Sequence, residues 1–139
     1  MPGPLNSAPL TLFGLAQRAM SAQLVRMNAA SSNLANAGTV SASEGEAYRP
    51  VRAIFAEQLD RSSGLSTVRV SGVMRESAMP VKEHSPNHPL ADAEGNIWTA
   101  PVDENAEMVE MLDASRQYQN LVEALSTAKQ LMLETLRVK

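Results

Sequence analysis

The sequence predicts a mainly α fold with a small β insert, in which long N- and C-terminal helices pair as an antiparallel coiled coil and a short-stranded, β-containing region lies between them. Three observations support this fold class. Each end of the chain carries an apolar stripe at helical spacing, and the middle is rich in proline and in short alternating runs. The 139 residues include one Trp, two Tyr and two Phe, so there is little material for a large aromatic core, whereas eight Met suit adaptable helix packing.

The N-terminal part divides into a lead and a helix. Proline and glycine in residues 1–9 predict a disordered lead, and residues 10–37 are expected to form the N-terminal helix, a rod of about 40 Å. Alternating steps of three and four along this helix select seven positions, six of them apolar or small, which is typical of a face that meets a partner helix. These positions are Phe13, Ala16, Met20, Gln23, Met27, Ala30 and Leu34.

The middle region, residues 38–101, differs from the two helical ends in composition and in residue pattern. Alternating side chains around 51–55 and around 68–70, together with the run 97–99 after a turn-like Glu-Gly-Asn, predict two or three short strands. Three prolines interrupt residues 79–89, so this stretch is expected to be an extended connection that pairs with no strand.

Residues 102–139 are expected to form the C-terminal helix, with Asp103 as its N-cap. The same spacing of three and four selects nine positions in this helix, of which seven are apolar. They are Met108, Met111, Ser115, Tyr118, Val122, Leu125, Lys129, Met132 and Leu136.

Both stripes predict assembly with other chains. The middle region offers too little apolar mass to bury two such long helices, and isolated helices owe most of their stability to tertiary packing. We therefore expect the helical ends to be incompletely folded until identical or related subunits cover them. The polar positions Gln23, Ser115 and Lys129 fit this interpretation, because occasional polar residues in such a seam fix register and partner at some cost in stability.

Composition excludes several classes of function. A formal net charge of -3 with mixed acids and bases gives no basis for binding nucleic acid. There is no cysteine, which excludes disulfides and thiolate chemistry. No apolar run is long enough to span a membrane, and the first residues fit a cleaved secretory signal poorly, so any route out of the cytoplasm is expected to read no cleaved leader.

Catalytic and metal chemistry find little support. His84 and His88 have a metal-binding spacing only on a helix, and Pro86 and Pro89 forbid that helix, so a surface loop is favoured. The acids at the start of the C-terminal helix suit a solvated, dipole-stabilised face better than the paired acids of a small hydrolase, an alternative that nonetheless stays open. They are Asp103, Glu104, Glu107, Glu110 and Asp113. We expect no enzyme, no catalytic, metal-binding or cofactor-binding residue, no cofactor and no small-molecule substrate.

Specific motifs resemble the bacterial flagellar axial proteins, the family that builds rod, hook and filament. The motifs at the N-terminal end are Ser21-Ala22-Gln23, Arg26-Met27-Asn28 and Ser32-Asn33-Leu34-Ala35-Asn36. Further motifs are similar to the proximal-rod proteins of the basal body, namely Tyr48-Arg49, Gly72-Val73, His88-Pro89-Leu90-Ala91-Asp92 with Gly95, Glu107-Met108-Val109 and Ser115-Arg116-Gln117-Tyr118-Gln119. Pro101 before Val102 departs from the family pattern, which has an asparagine before that valine, and the lead is longer and richer in proline.

The resemblance implies a structural subunit of the proximal rod, part of the shaft that carries torque from motor to hook. Its partners would be other rod proteins, copies of itself and the flagellar type III export apparatus, and its location the basal body, spanning the periplasm where there is an outer membrane. Both stripes except Lys129, together with Asn33 and Asn36, are the expected assembly interface, and the two asparagines are expected to bond locally where the first helix ends. The alternative is a soluble helical adaptor or chaperone of the export system.

Overall fold

The computed structural model describes residues 7–61 and 64–138, and in these residues two long helices are separated by five strands. The elements are α1 (Ser7–Asn36), β1 (Val40–Ser41), β2 (Val51–Asp60), β3 (Leu65–Arg75), β4 (Val81–His84), β5 (Asn96–Thr99) and α2 (Glu104–Val138), with a short 3-10 turn at Glu44–Glu46. Of the predicted lead, residues 1–6 lie outside the described residues, and residues 7–9 belong to α1.

α1 ends where glycine permits a turn. Gly38 has a φ of 76°, a conformation that other residues adopt only with strain. The Ala37 N–H donates to the Leu34 carbonyl at 3.2 Å and the Thr39 N–H donates to the Asn36 carbonyl at 3.1 Å, so two of the last carbonyls of the helix are satisfied by the turn that follows. The chain then leaves α1 directly into β1.

β2 and β3 form a long antiparallel hairpin of 10 and 11 residues, paired from Val51 opposite Arg75 to Asp60 opposite Leu65. A shift of register between Ile54 and Phe55 interrupts the ladder. Both strands pack against α1. The predicted fold class, mainly α with a small, short-stranded β insert, is therefore wrong: the β region is sizable and forms two antiparallel sheets.

A second antiparallel sheet has the order β1-β5-β4, and its central strand carries the buried Ile97. Val81–His84 pairs with Asn96–Thr99 along its whole length. The prediction that residues 79–89 pair with no strand is therefore wrong for β4, because the prolines at 80, 86 and 89 flank the strand without interrupting its ladder.

α2 begins at Glu104, and the side chain of Asp103 caps it: its Oδ1 accepts the N–H groups of Asn105 at 3.1 Å and Ala106 at 3.2 Å. The predicted N-cap is confirmed. The two helices pack antiparallel, because Asn33 near the end of α1 contacts Glu107 near the start of α2. The buried apolar core of the described residues consists mostly of alanines, with Ile97 its one large member.

Candidate assembly interface

The side chain of Asn33 joins α1, β2 and α2. It is fully buried, and its Oδ1 accepts hydrogen bonds from the Tyr48 hydroxyl and the Val51 N–H, each at 2.8 Å. Its Nδ2 donates to the Val51 carbonyl and to Glu107 Oε2, each at 3.1 Å. The amide therefore uses its whole hydrogen-bonding capacity, two bonds on each side, and it binds the edge of β2 at Val51 as a neighbouring strand would.

This arrangement corrects the expected role of Asn33. We expected both asparagines to satisfy backbone groups where α1 ends, but Asn33 faces β2 and α2 and bonds no group of its own helix end. Asn36 does act locally, since its Nδ2 donates to the Ser32 carbonyl at 2.9 Å.

Glu107 is 1% exposed and is bound by Arg52 of β2. Arg52 Nη1 donates to Glu107 Oε2 at 2.9 Å, Nη2 contacts Oε1, and Nε donates to Glu76 Oε1 at 2.6 Å. The hydrogen bond to Glu107, with that to Glu76, raises the pKa of Arg52 above its usual value despite burial, so the guanidinium stays charged. A carboxylate held by two guanidinium nitrogens locks elements together.

The expected solvated acidic face is therefore wrong for Glu107, which turns toward α1 and β2. Sequence reasoning also missed Arg52, Glu76 and Tyr48 as members of this network. The sequence contained one signal for the burial of Glu107. It precedes Met111 by four residues and therefore lies on the same helix face as this position of the predicted apolar stripe.

Arg26 makes a second polar connection between the helices. It donates to Glu110 Oε1 at 2.8 Å and to Asp113 Oδ2 at 2.9 Å, and Gln23 of its own helix accepts a third bond at 2.8 Å. The hydrogen bonds to Glu110 and Asp113 raise the pKa of Arg26, and the same guanidinium lowers the pKa of Asp113. Two of the predicted surface acids thus hold α2 to α1.

Small side chains let the helices approach closely. Ala22, Ala29 and Ala30 of α1 and Ala114 of α2 are all buried, and Ala30 and Ala114 have no exposed surface. Toward the other end of the pair, α1, α2 and β3 surround an apolar recess of about 370 Å³. It is lined by Leu12, Leu15, Ala16 and Ala19 of α1, Ser66, Thr67 and Val68 of β3, and Leu121, Ala124, Leu125 and Ala128 of α2.

The predicted positions of α1 are all at least partly covered by the chain itself. Ala30 and Asn33 are buried, and the rest are half-buried: Phe13, Ala16, Met20, Gln23, Met27, Leu34 and Asn36. This coverage comes from α2 on one side and from the hairpin on another. Their role in assembly remains a prediction.

The predicted stripe of α2 divides into two sets. Met111, Ser115, Tyr118, Leu125 and Met132 are half-buried, whereas Met108, Val122, Lys129 and Leu136 are exposed. The covered face instead includes Glu107, Met111, Ala114, Tyr118, Leu121, Leu125, Ala128 and Met132, so four positions lie one residue earlier than predicted. Glu107, Ala114, Leu121 and Ala128 take the places expected for Met108, Ser115, Val122 and Lys129.

Large apolar side chains remain exposed along α2. Those more than half exposed are Met108, Val109, Leu112, Leu131, Leu133, Leu136 and Val138. We call this set, with Val122, the outer apolar face of α2; at 3.6 residues per turn its members spread over more than half of the helix circumference and do not form a single stripe. Exposed apolar surface of this extent is typical of sites that associate with another macromolecule.

The two histidines lie apart from these contacts. His84 Nδ1 is 3.3 Å from Asn96 Oδ1, and His88 Nδ1 accepts the Leu90 N–H at 3.0 Å. In the described part of the chain, no three His, Asp or Glu side chains are grouped so that they could hold a metal ion. Neither α1 nor α2, over residues 7–36 and 104–138, is long and apolar enough to cross a membrane.

Comparison with known families places both helical ends in one class of protein. Residues 15–42 match the family described as "Flagella basal body rod protein", and residues 93–138 match "Flagellar basal body rod FlgEFG protein C-terminal". These matches contain the junction residues Asn33 and Glu107 and most of the helical seam, and they define a protein of the flagellar basal-body rod class.

Curated relatives make the assignment narrower. The flagellar basal-body rod protein FlgC of Salmonella typhimurium is 41% identical over 131 residues, 93% of this chain and 96% of the relative. FlgC of Yersinia enterocolitica is 39% identical over 91% of this chain and 95% of the relative. FlgC of Buchnera aphidicola (subsp. Acyrthosiphon pisum) is 30% identical over 93% of this chain and 96% of the relative. The chain belongs to the FlgC family of flagellar basal-body rod proteins. The predicted assignment to structural rod proteins of the flagellum is confirmed.

Proposed function

We propose that this chain is a non-catalytic subunit of the proximal part of the rod, where it polymerises with other rod proteins and with copies of itself. In this role the rod is a shaft that transmits torque from the motor to the hook. Membership of the FlgC family supports the proposal, and the outer apolar face of α2 is the structural observation that carries it. Side chains such as Val109 and Leu136, which are 67% and 69% exposed, gain burial only when a neighbour covers them.

The two-helix body suits a load-bearing subunit. Arg26 and the network of Asn33, Arg52 and Glu107 tie α1 to α2 at residues far apart in sequence. Such charge-assisted contacts resist sliding of one helix along the other. Contacts between subunits must be heterologous, because head-to-tail association is what yields an open helical tube.

We further propose that the subunit reaches the basal body through the flagellar type III export apparatus without a cleaved leader, and lies in the rod where the rod crosses the periplasm. Both predicted assembly stripes belong to this proposal: the half-buried positions of α1 would be covered fully, and Met108, Val122 and Leu136 of α2 would contact neighbours directly.

Deletion of the gene in the native bacterium tests the proposal. The deletion strain is expected to lose hooks and swimming, and a tagged copy of the chain is expected to restore both and to be recovered in purified basal bodies. A strain that still swims contradicts the proposal. Restoration of swimming by a chain that is absent from the purified basal bodies indicates an export adaptor instead.

A further inference from the structure

The apolar recess lies at one end of the helix pair, far from the contact of Asn33 with Glu107. Its walls include side chains from residues 12–19 of α1 and 121–128 of α2. Ala16, in the middle of the α1 wall, lies 17 positions before Asn33, which at 1.5 Å per residue is about 25 Å of helix. We call these two ends of the molecule the recess end and the junction end.

Two cations flank the recess. Arg18 is exposed, and its Nη1 donates to Oγ1 of Thr67, a residue of the recess wall, at 3.1 Å. No ion pair among the described side chains includes Arg18. On α2 the exposed Lys129 follows Ala128 of the wall and flanks it, whereas at 3.6 residues per turn Glu123 lies on the opposite side of the helix. A group that enters the recess therefore meets apolar walls with positive charge beside them.

The segment 79–83 has the complementary character, and it lies at the junction end. β4 pairs with β5, which ends five residues before α2 begins. Val81 is 57% exposed, and it shares a face of β4 with the exposed Glu83, because alternate residues of a strand point to the same side. Met79, two residues before the strand, is 75% exposed. The segment thus presents large apolar side chains beside a carboxylate.

The other charge of this segment is turned away. Lys82 lies on the opposite face of β4 from Val81, and its Nζ is 5.8 Å from the centre of the Trp98 ring. Lys82 therefore leaves the face of Val81 and Glu83 apolar and negative.

Geometry and charge together indicate what can fill the recess. The segment 79–83 of one chain lies at the other end of the molecule from its own recess, so only the segment of another copy can enter it. A two-fold contact of recess against recess would bring Arg18 and Lys129 of both copies together, and like charges repel. A contact of recess end with junction end instead brings cations to a surface rich in acids. In residues 37–50 and 75–106 the exposed acids are Glu44, Glu46, Glu83, Glu94, Asp103 and Glu104, and the exposed Arg and Lys side chains are Arg75 and Lys82.

We propose that the segment 79–83 of one copy docks in the recess of the next copy, with Met79 and Val81 against its apolar walls and Glu83 beside Arg18. The recess of about 370 Å³ gives these exposed apolar side chains a place to be buried. The contact joins opposite ends of two copies, so it is heterologous and can repeat along an open assembly. The inference rests on the proposed function in one respect: it takes the second copy to be a neighbour in the rod.

Mixed cysteine crosslinking in basal bodies tests the contact. The chain has no native cysteine, so one tagged copy with Val81→Cys and one with Val68→Cys can be expressed together and treated with a short thiol-to-thiol crosslinker. Val68 belongs to the recess wall and is 53% exposed. Neither copy can crosslink within itself. We expect the 68–81 heterodimer in at least about fivefold excess over the 68–68 and over the 81–81 dimers, because a heterologous contact brings different positions together.

Val73→Cys is the matched control for Val68→Cys. Val73 is 52% exposed and lies on the same strand, about 16 Å farther along. It is expected to give no heterodimer with Val81→Cys.

The outcomes separate this inference from the proposed function. Chains recovered in basal bodies that give no 68–81 heterodimer, or no more of it than the control gives, overturn the contact and leave the rod assignment intact. A photoreactive group attached to Val68→Cys that joins only a different rod protein does the same and identifies that protein as the occupant of the recess. Absence of the unsubstituted chain from basal bodies overturns both.

Charge reversal is a second readout. Glu83→Arg or Arg18→Glu alone is expected to lower recovery of the chain in basal bodies, and the two together to restore it. Glu44→Arg, at another exposed acid of the junction end, is the control and is not expected to restore the Arg18→Glu chain. Failure of the Glu83→Arg, Arg18→Glu double variant to recover more than either single variant, or equal restoration by Glu44→Arg, contradicts the contact.

Discussion

Asn33 and Glu107, 74 positions apart in the sequence, meet between the two helices, with Asn33 Nδ2 3.1 Å from Glu107 Oε2. Both side chains are buried, and every buried side-chain nitrogen or oxygen atom of the described residues has a hydrogen-bond partner. Arg52 completes the contact from β2. One network therefore fixes the end of α1, the start of α2 and the base of the hairpin relative to one another, although none of these elements adjoins another in sequence.

Replacing Glu107 with glutamine should destabilise the purified chain by about 2 kcal/mol. Removing one partner of a buried ion pair costs roughly 3–5 kcal/mol, and the loss here is smaller because Arg52 is 36% exposed and keeps Glu76. Urea unfolding followed by circular dichroism measures the change. Glu104→Gln, at an exposed position in the same helical turn, is the control, with an expected change within about 0.5 kcal/mol. Equal effects of the two substitutions would contradict the network.

Enlarging Ala30 to leucine should also destabilise the chain, by roughly 1–3 kcal/mol, because the helices leave no space at this position. Ala35→Leu places the same side chain at an exposed position of α1 and should change stability by less than about 0.5 kcal/mol. The same urea titration compares them. If Ala30→Leu left the stability unchanged, the packing between α1 and α2 at this position would be looser than the burial of Ala30 indicates.

The ion pair of Arg26 with Asp113 predicts a dependence on pH. The hydrogen bond from Arg26 lowers the pKa of Asp113 in the folded chain, so the pair stabilises the fold above the ordinary carboxyl pKa, and this contribution is lost as pH falls through the lowered value. Asp113→Asn should therefore lower the melting temperature at pH 7 and have little effect near pH 2. Glu123→Gln, an exposed carboxylate elsewhere on α2, is the control. The assignment would be contradicted if the difference in melting temperature between Asp113→Asn and the unsubstituted chain became larger as the pH is lowered.

Introduced charges distinguish internal packing from assembly. Leu34→Asp should prevent incorporation into basal bodies and destabilise the isolated chain, because Leu34 is half-buried in the chain itself. Val122→Asp should prevent incorporation while changing the stability of the isolated chain by less than about 0.5 kcal/mol, because Val122 is 41% exposed there. Quantifying each protein in purified basal bodies and its urea midpoint measures both effects. Normal incorporation of Val122→Asp would show that Val122 does not lie in an assembly interface.

Periodicity predicted both helices but not which face of α2 turns inward. A stripe through Met108, Val122 and Leu136 contains more large apolar residues than its neighbour, in which Ala114 and Ala128 occupy two of the apolar positions. Close approach of two helices needs small side chains, so packing selects the alanine face and leaves the larger residues outside. A count of apolar residues cannot choose between two adjacent faces.

The hairpin and the polar network were harder to foresee for a different reason. β2 continues through Ala56, Glu57 and Gln58, which have weak strand propensity, because β3 supplies a full ladder opposite them. Likewise the local sequence around Asn33 suggests a helix-end cap, but its side-chain amide instead forms hydrogen bonds with Val51 and Glu107, which are distant in sequence. Contacts between residues far apart in sequence decide both features.

Cysteine accessibility measures most directly whether neighbours cover the outer apolar face of α2 in the rod. A single Leu112→Cys, in a chain without native cysteine, can be labelled with a maleimide both in the purified chain and in intact basal bodies. Leu112 is 55% exposed in the isolated chain, so rapid labelling is expected there and strong protection in basal bodies. Equally rapid labelling of Leu112→Cys in both states would contradict burial of this face by assembly.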